Sequence, residues 1–519
     1  MAQTQKRSLA LATVILMSAF VASRLTGLAR DIVIGYRFGT TRDYDAYLAA
    51  IRVPDLVFQI VAGGAVASAF IPVLASYVAK DQEDEAWRMV STLFNLGLLV
   101  LTPIVVLLAV FAHPVMGLLA PGFEAESQAL AADLARVLLV MPLFFALGAL
   151  ATSVLNSHHR FFWPALAPSC YNLGILSGAW FLGPAMGVKG MAVGASAGAL
   201  LYLLIQVPGL YSVGMVYRPI LDLRLPGVRE VGRLMLPRTI GLGIQQVNFL
   251  VTLVLASSLP GMYSALNYAW LLTMLPLGVF AIAISTAVFP TMAEHMATER
   301  LVEMKRVLSS SLRLILYLTV PASIGLIVLR YPVVRLLFER GQFTAASTEA
   351  TAFALQFYAA GLFAHALTEI VARAFYAMHD TRTPVIVAAA ALVVNLVASW
   401  LLVQTPLGHG GLALGLSVSA TFEALVLLWI MRERLGGLDE RDLALSVVRI
   451  VVASVVMGLV VGWISHQAAA WLGMSDGQHR LAVVAVGLSV GVITYLLLTF
   501  LLGCSEARRL RQQLLSHSG

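Results

Sequence analysis

The sequence predicts an all-α polytopic membrane protein of about 14 transmembrane helices, built as two parallel six-helix repeats plus two C-terminal helices. Three observations lead there. Of 519 residues, 59% are hydrophobic and 12% charged, against roughly 25% charged in a soluble domain, and mean hydropathy is +0.86. The apolar stretches, such as 90–112 and 481–502, are long and unbroken. Prolines recur at one fixed offset along the chain. Such a chain must use lipid as solvent, and only helices or closed barrels satisfy every backbone polar group there. Barrel strands would alternate in polarity over short segments. Helices win.

Met1 to Arg7 followed by an apolar run has the look of a signal peptide. No small-residue cleavage site closes it, and the run continues into Ser23-Arg24 as a full span. It is read as the first membrane helix. A window of about twenty residues then gives spans near 8–29, 45–77, 90–111, 129–155, 162–182, 188–212 and 231–257. The second set lies near 264–291, 307–329, 350–377, 384–403, 410–431, 445–468 and 480–502.

Basic residues alternate between the connecting loops. One set carries Lys6 and Arg7, Lys80 and Arg88, Arg160, Arg218, Arg224 and Arg229, Arg300, Lys305 and Arg306, Arg382, Arg432, Arg434 and Arg441, then Arg508, Arg509 and Arg511. The opposite loops are nearly bare, with two exceptions: the loop of Arg37 and Arg42, and that of Arg330, Arg335 and Arg340. The positive-inside rule places both termini in the cytoplasm, which requires an even number of spans. The net charge of +7 fits loops facing an anionic leaflet rather than nucleic acid.

Pro72 and Pro290, Pro103 and Pro321, and Pro114 and Pro332 are each 218 residues apart; Pro164 and Pro384 follow at 220. Ala69-Phe-Ile-Pro72 matches Ala287-Val-Phe-Pro290, and the residues after Pro114 match those after Pro332. Six spans per period insert both copies the same way up. The predicted organisation is an N-terminal lobe over 1–217, a second lobe over 218–435, and two further helices with a tail over 436–519. Paired repeats around a central site are a transporter architecture.

Certain polar residues sit where lipid should exclude them. Ser23, Arg24, Gly27, Arg30 and Asp31 fall within about 120° of one helix face. An arginine at the centre of a span costs roughly 2.5–3.5 kcal/mol even on lenient scales. Two on one stripe therefore face a partner or a cavity. Two readings stand: a structural Arg30–Asp31 or interhelical ion pair, or a basic wall whose guanidinium forks grip phosphate. The second span adds Asp45, Arg52, Asp55 and Gln59 on one face, around Pro54 and before Gly63-Gly64; these too either neutralise one another or line a cavity. In the second half, Gln245 and Asn248 sit one turn apart. Glu369 and Arg373 form an i,i+4 pair, either self-satisfied or with Glu369 as a proton- or cation-coupling site. His158-His159 and His365 read as loop and core histidines. Cys170 and Cys504 support neither a disulfide framework nor a metal site. No Walker loop, His-Glu-x-x-His or Cys-x-x-Cys is present; the sequence asks for no cofactor, and an enzyme would need extracytoplasmic catalytic loops that this chain lacks.

Ser23-Arg24-x-x-Gly27-x-x-Arg30-Asp31, Phe38-Gly39, Asp45-Ala46, Pro54-Asp55-Leu56 and Ala69-Phe-Ile-Pro72 resemble the opening of the MurJ/MviN family. Arg160-Phe161, Pro164-Ala165 and Ala167-Pro168 are similar to its first-half motif; Phe343-Thr344, Phe375-Tyr376 and Asp380-x-x-Thr383-Pro384-Val385 to its second. The resemblance runs in order from about 10 to 435. It implies a 14-helix flippase of the MOP exporter superfamily in the bacterial cytoplasmic membrane. The substrate it implies is lipid II, the undecaprenyl-pyrophosphate-linked peptidoglycan precursor, carried outward for cell-wall biogenesis. The alternatives are an exporter of another polyprenyl-linked oligosaccharide or a cation-coupled drug antiporter. On this resemblance Arg24, Arg30 and Arg52 bind the diphosphate, and Ser23, Asp31 and Asp45 orient them. Two family arginines are replaced, by Phe58 and Leu271, so the basic patch is expected on the first half alone.

Overall fold

The computed structural model describes residues 2–61, 65–80, 82–472, 477–504 and 506–507. Gly63-Gly64, Arg508, Arg509 and Arg511 lie outside the described residues, as do the side chains of Lys6, Arg7 and Gln245. Among the described residues every regular element is a helix, and the chain divides into two compact units, Met1–Gly261 and Met262–Gly519.

The first unit begins with α1 (Ala2–Phe38), α2 (Arg42–Val61), α3 (Ala65–Ala79) and α4 (Glu83–Val110). After α5 (Ala112–Leu119) come α6 (Ala125–Leu138), α7 (Met141–Ser157) and α8 (Phe162–Ser177). A π-helical turn over Gly178–Leu182 leads into α9 (Gly183–Met186), α10 (Val188–Leu204), α11 (Val207–Ser212) and α12 (Pro226–Ala256). α8 packs against both α1 and α10, while α12 packs on α2 and α3. The α8–α10 seam is glycine on glycine. A Cβ on Gly174 would lie 2.3 Å from the Gly198 Cα, and one on Gly194 would lie 2.6 Å from the Gly178 Cα. Without a hydrophobic drive between helices in lipid, such small-residue seams let backbones approach and fix rotation. The orientation of α8 matters below, because α8 carries Asn172.

The second unit contains α13 (Met262–Pro276), a π-helical turn over Leu277–Ile282, α14 (Ala283–Ala297) and the long α15 (Leu301–Leu337). Then come α16 (Ala345–Ala360), α17 (Leu362–Ala377), α18 (Arg382–Val403), α19 (His409–Leu435), α20 (Glu440–Leu472) and α21 (Gly477–Leu501). α15 is its spine, touching α16, α17, α20 and α21. α18 and α21 turn Ile386, Val393, Trp400, Leu488, Val492 and Leu501 outward. In water these would be a liability, whereas in lipid they are the solvated face.

Helix starts repeat at the offset of the prolines. Glu83 and Leu301 begin matching helices 218 residues apart, and Ala125 and Ala345, then Phe162 and Arg382, follow at 220. α7 and α17 also end alike, each with a left-handed histidine, His159 (φ 57°) and His379 (φ 59°).

Among the described residues nine helical segments are long and apolar enough to cross a membrane, or ten if α16 and α17, bent by 43°, form one span. α2 has a clear reason to fall short: Arg42, Asp43, Asp45, Arg52 and Asp55 all lie within its 20 residues. The two loops that break the basic-residue pattern prove to be tied down. The Arg37 guanidinium lies 4.7 Å over the Trp180 ring, and Arg42 pairs with Glu124 at 2.5 Å. Arg335 meets Glu339 at 3.2 Å, and Arg480 donates to the Glu339 carbonyl at 2.9 Å.

Candidate functional site

On α1 the predicted stripe converges on a single anchor from another helix. Arg30 Nε donates to Asp31 Oδ1 at 2.8 Å, and Nη2 meets the same oxygen at 2.8 Å. Its third nitrogen, Nη1, donates to Asn172 Oδ1 at 2.9 Å. Asn172 Nδ2 in turn donates to the Ser23 carbonyl at 3.2 Å. Ser23 thus enters through its backbone rather than its hydroxyl. Arg30 and Asp31 keep only 24% and 11% of their side-chain surface, so neither is simply solvated. A guanidinium has five N–H donors; these contacts use three and leave one on each terminal nitrogen. Arg24, further up the same helix, has an exposed side chain.

α2 supplies the neighbouring wall. Tyr47, 3% exposed, lies within electrostatic reach of Arg30, Asp31 and Asp55, and its buried hydroxyl has no hydrogen-bond partner among the described residues. Tyr171, next to Asn172 in sequence, interacts with Arg30 and Asp55. The Arg52 guanidinium sits 4.8 Å above the Phe249 ring of α12, a cation–π contact, with Asp55 as a nearby counter-charge. The site is therefore assembled from α1, α2, α8 and α12.

Asp45 lies apart from this cluster in its bonding. It is 2% exposed, and its Oδ2 accepts from the Gly261 amide at 2.6 Å. With Arg42, Gly122, Glu124, Ser257 and Ser258 it lines a cavity of about 120 Å³. Phe58 meets Phe145 at 5.4 Å with the two rings tilted, and the Phe145 ring meets Tyr171 edge-on at 5.0 Å. Phe58 is thus part of an aromatic group that includes Tyr171. Leu271 is partly buried on α13.

In the second unit Glu369 pairs with Arg373 at 3.5 Å. Arg373 also donates to Ser285 Oγ and to the Ile282 carbonyl at 3.3 Å. Asp380, in the turn between α17 and α18, accepts from the Arg382 and Thr383 amides at 3.0 Å each and from Arg434 at 2.6 Å. Partial burial pushes this carboxyl upward, but the Thr383 hydroxyl and amide together with Arg434 outweigh it and hold it at about 2. His158 stacks on Trp87 at 5.7 Å, and His365 meets the Trp270 ring edge-on at 5.4 Å. Cys170 and Cys504 are free thiols. Among the described residues no group of three His, Cys, Asp or Glu is placed to hold a metal ion.

A multi-pass helical membrane protein whose apolar helices enclose an oriented guanidinium cluster belongs, by fold and site, to the membrane transporters. More narrowly, the chain belongs to the MurJ lipid II flippase family: the family model for lipid II flippase MurJ matches residues 34–477. It is 31% identical over 472 residues to the probable lipid II flippase MurJ of Haemophilus influenzae, covering 87% of this chain and 92% of that one. To the lipid II flippase MurJ of Burkholderia cenocepacia it is 30% identical, covering 93% and 96%. A solved lipid II flippase MurJ in an inward closed conformation superposes with a TM-score of 0.78 at 25% identity, covering 94% of this chain and 98% of that one. An inward-facing multidrug MATE transporter of the MOP superfamily, at 16% identity and TM-score 0.69, shares the fold, covering 82% and 99%.

Proposed function

We propose that this chain carries lipid II outward across the bacterial cytoplasmic membrane by alternating access, with the diphosphate of the headgroup held by Arg30 and Arg52 and received by Arg24. The carrying observation is the state of Arg30: a cation inside an apolar helix, oriented from two sides, that keeps one N–H on each terminal nitrogen. Charge-assisted bonds from such a group to phosphate are short and roughly twice as strong as neutral ones. Asp31 fixes the guanidinium and supplies a counter-charge in the empty site, which lowers the cost of burying Arg30 between substrates. Arg52, over the Phe249 ring with Asp55 nearby, is the second cation of this wall.

Asp45, expected to orient the arginines, we assign instead to holding the 257–261 turn after α12 against the first turn of α2, since its carboxylate accepts from the Gly261 amide. The matching helix starts in the two halves support parallel repeats over 1–217 and 218–435. Counting α1, α2–α3, α8–α9, α12 and α16–α17 as spans brings the total to 14, an even number that sets both termini on one side; the basic residues of the 213–225 connection favour the cytoplasm for that side. Replacement of a host's own MurJ under depletion tests the function. Growth supported by the wild-type chain, and lost in Arg30→Ala at equal abundance, is the expected result; no growth with the wild-type chain overturns it.

A further inference from the structure

Asn172 belongs to none of the sequence signals that mark the basic wall, yet its carboxamide joins α1 to α8 at Arg30. Its side chain is 8% exposed. The partners fix its orientation without ambiguity. Arg30 only donates, so Oδ1 must face it; the Ser23 carbonyl only accepts, so Nδ2 must face that. Asn172 packs closely over this turn of α1: a Cβ on Gly27, between Ser23 and Arg30, would stand in ordinary contact with Asn172 Nδ2 at 3.5 Å.

We infer that Asn172 is a positioning residue for headgroup binding, one that aims the Arg30 guanidinium without neutralising it. This rests on the proposed diphosphate role of Arg30. The choice of amide over acid is the core of the argument. Asp31 already supplies one negative charge to Arg30 at 2.8 Å. A second carboxylate at 172 would give the guanidinium two counter-charges, leave the cluster net negative, and repel an anionic ligand. It would also set an oxygen against the Ser23 carbonyl, where only a donor fits. A carboxamide is nearly the same shape, satisfies both partners and adds no charge. An apolar side chain would free Nη1 to rotate, so that Arg30 collapses onto Asp31 alone. Geometry held within fractions of an ångström by a supporting hydrogen bond is what separates a working binding group from one that is merely present.

The test uses the purified full-length protein in detergent, inorganic pyrophosphate as the probe, and four variants: Arg30→Ala, Asn172→Asp, Asn172→Ala, and Asn172→Ala in the Arg30→Ala background. The expected result is pyrophosphate binding that depends on Arg30, weakened about tenfold or more by Asn172→Asp and several-fold by Asn172→Ala. In the Arg30→Ala background Asn172→Ala should weaken the residual binding no further, because a residue acting only through Arg30 has nothing left to aim. Equal losses in both backgrounds would mean a general packing or charge effect and overturn the inference. Wild-type binding in both Asn172 variants would overturn it as well, while leaving the Arg30 reading intact. Absence of any Arg30-dependent binding in the wild type removes that reading and this inference together. Asn172→Asp is nearly isosteric, so it keeps the test informative if Asn172→Ala accumulates poorly.

Discussion

Asp45 accepts a hydrogen bond from the backbone amide of Gly261 at 2.6 Å, across 216 residues of sequence. Gly261 sits at φ +76°, and a Cβ there would lie 2.5 Å from the Thr40 carbonyl oxygen. Asp45→Ala leaves a buried amide without its acceptor, a loss of about 1–3 kcal/mol. Asn keeps an acceptor and should lose less. Gly261→Ala combines backbone strain with a clash and should cost a comparable amount. Thermal midpoints of the detergent-solubilised variants measure this. A midpoint for Asp45→Ala equal to wild type would show that the contact holds nothing in place.

Arg30 and Arg42 are the informative pair for the basic wall. Arg30 is buried and oriented; Arg42 forms an ion pair with Glu124 in which both side chains remain more than half exposed. Surface pairs of that kind contribute about 0–1 kcal/mol. Arg30→Ala should therefore abolish growth rescue at near-normal abundance, and Arg42→Ala should be close to silent. Rescue by Arg30→Ala would return Arg30 and Asp31 to a structural ion pair.

An arginine at position 58 has no simple place to go. The ring is backed by Phe145, which also contacts Tyr171 and Tyr202 at 5.0 and 5.3 Å. Phe58→Arg would lose the aromatic contact and place a cation against the apolar cluster of Val57, Leu150 and Val154. Reduced abundance and loss of rescue are expected. Leu271→Arg, at a partly buried position, should be better tolerated. Normal accumulation of Phe58→Arg would mean that the position still opens toward a phosphate.

These residues also show what the sequence made legible. The apolar runs gave the helices, and the spacing of Arg24, Gly27, Arg30 and Asp31 gave the stripe, because both are periodic signals within one element. The Arg30–Asp31 contact was foreseeable as neighbours on that stripe. Asn172 was not: a single amide in an apolar helix has no periodicity, and its partner lies 142 residues away. The partner of Asp45 was hidden for another reason, being a backbone amide that any residue type would supply. The π-helical turns at 178–182 and 277–282 left no mark either, since their residues are ordinary helix formers in lipid.

Asp380 makes a prediction in pH. Its carboxyl is held at about 2, below the ordinary value of 3.8. A depressed acid contributes stability that is fully present above the unfolded value and is lost as pH falls through the folded one. The difference in melting temperature between wild type and Asp380→Asn should thus be flat from pH 8 to about 5. It should shrink between about 4 and 2, where Arg434 and the Thr383 hydroxyl lose their charged partner. A difference that changes near neutrality would implicate some other group.

Glu369 carries the last question, whether it couples transport to a cation or merely serves its neighbour. Its order with Arg373, acid first at i,i+4, is the favourable one on a helix, and the 3.5 Å contact shows the pair formed. Arg373 is also bound to Ser285 Oγ and the Ile282 carbonyl, so it ties α17 to the start of α14. Glu423 on α19 lies within electrostatic reach of Glu369. Arg373 is then the counter-charge of Glu369 at a corner that also holds Glu423. If that is its work, Glu369→Gln should still support growth, because the amide oxygen can accept from Arg373. Arg373→Ala should lower abundance by leaving like charges facing each other, and adding Glu423→Gln should recover part of it. Loss of growth in Glu369→Gln at unchanged abundance would reverse the assignment and make Glu369 a group that must change its charge during the cycle.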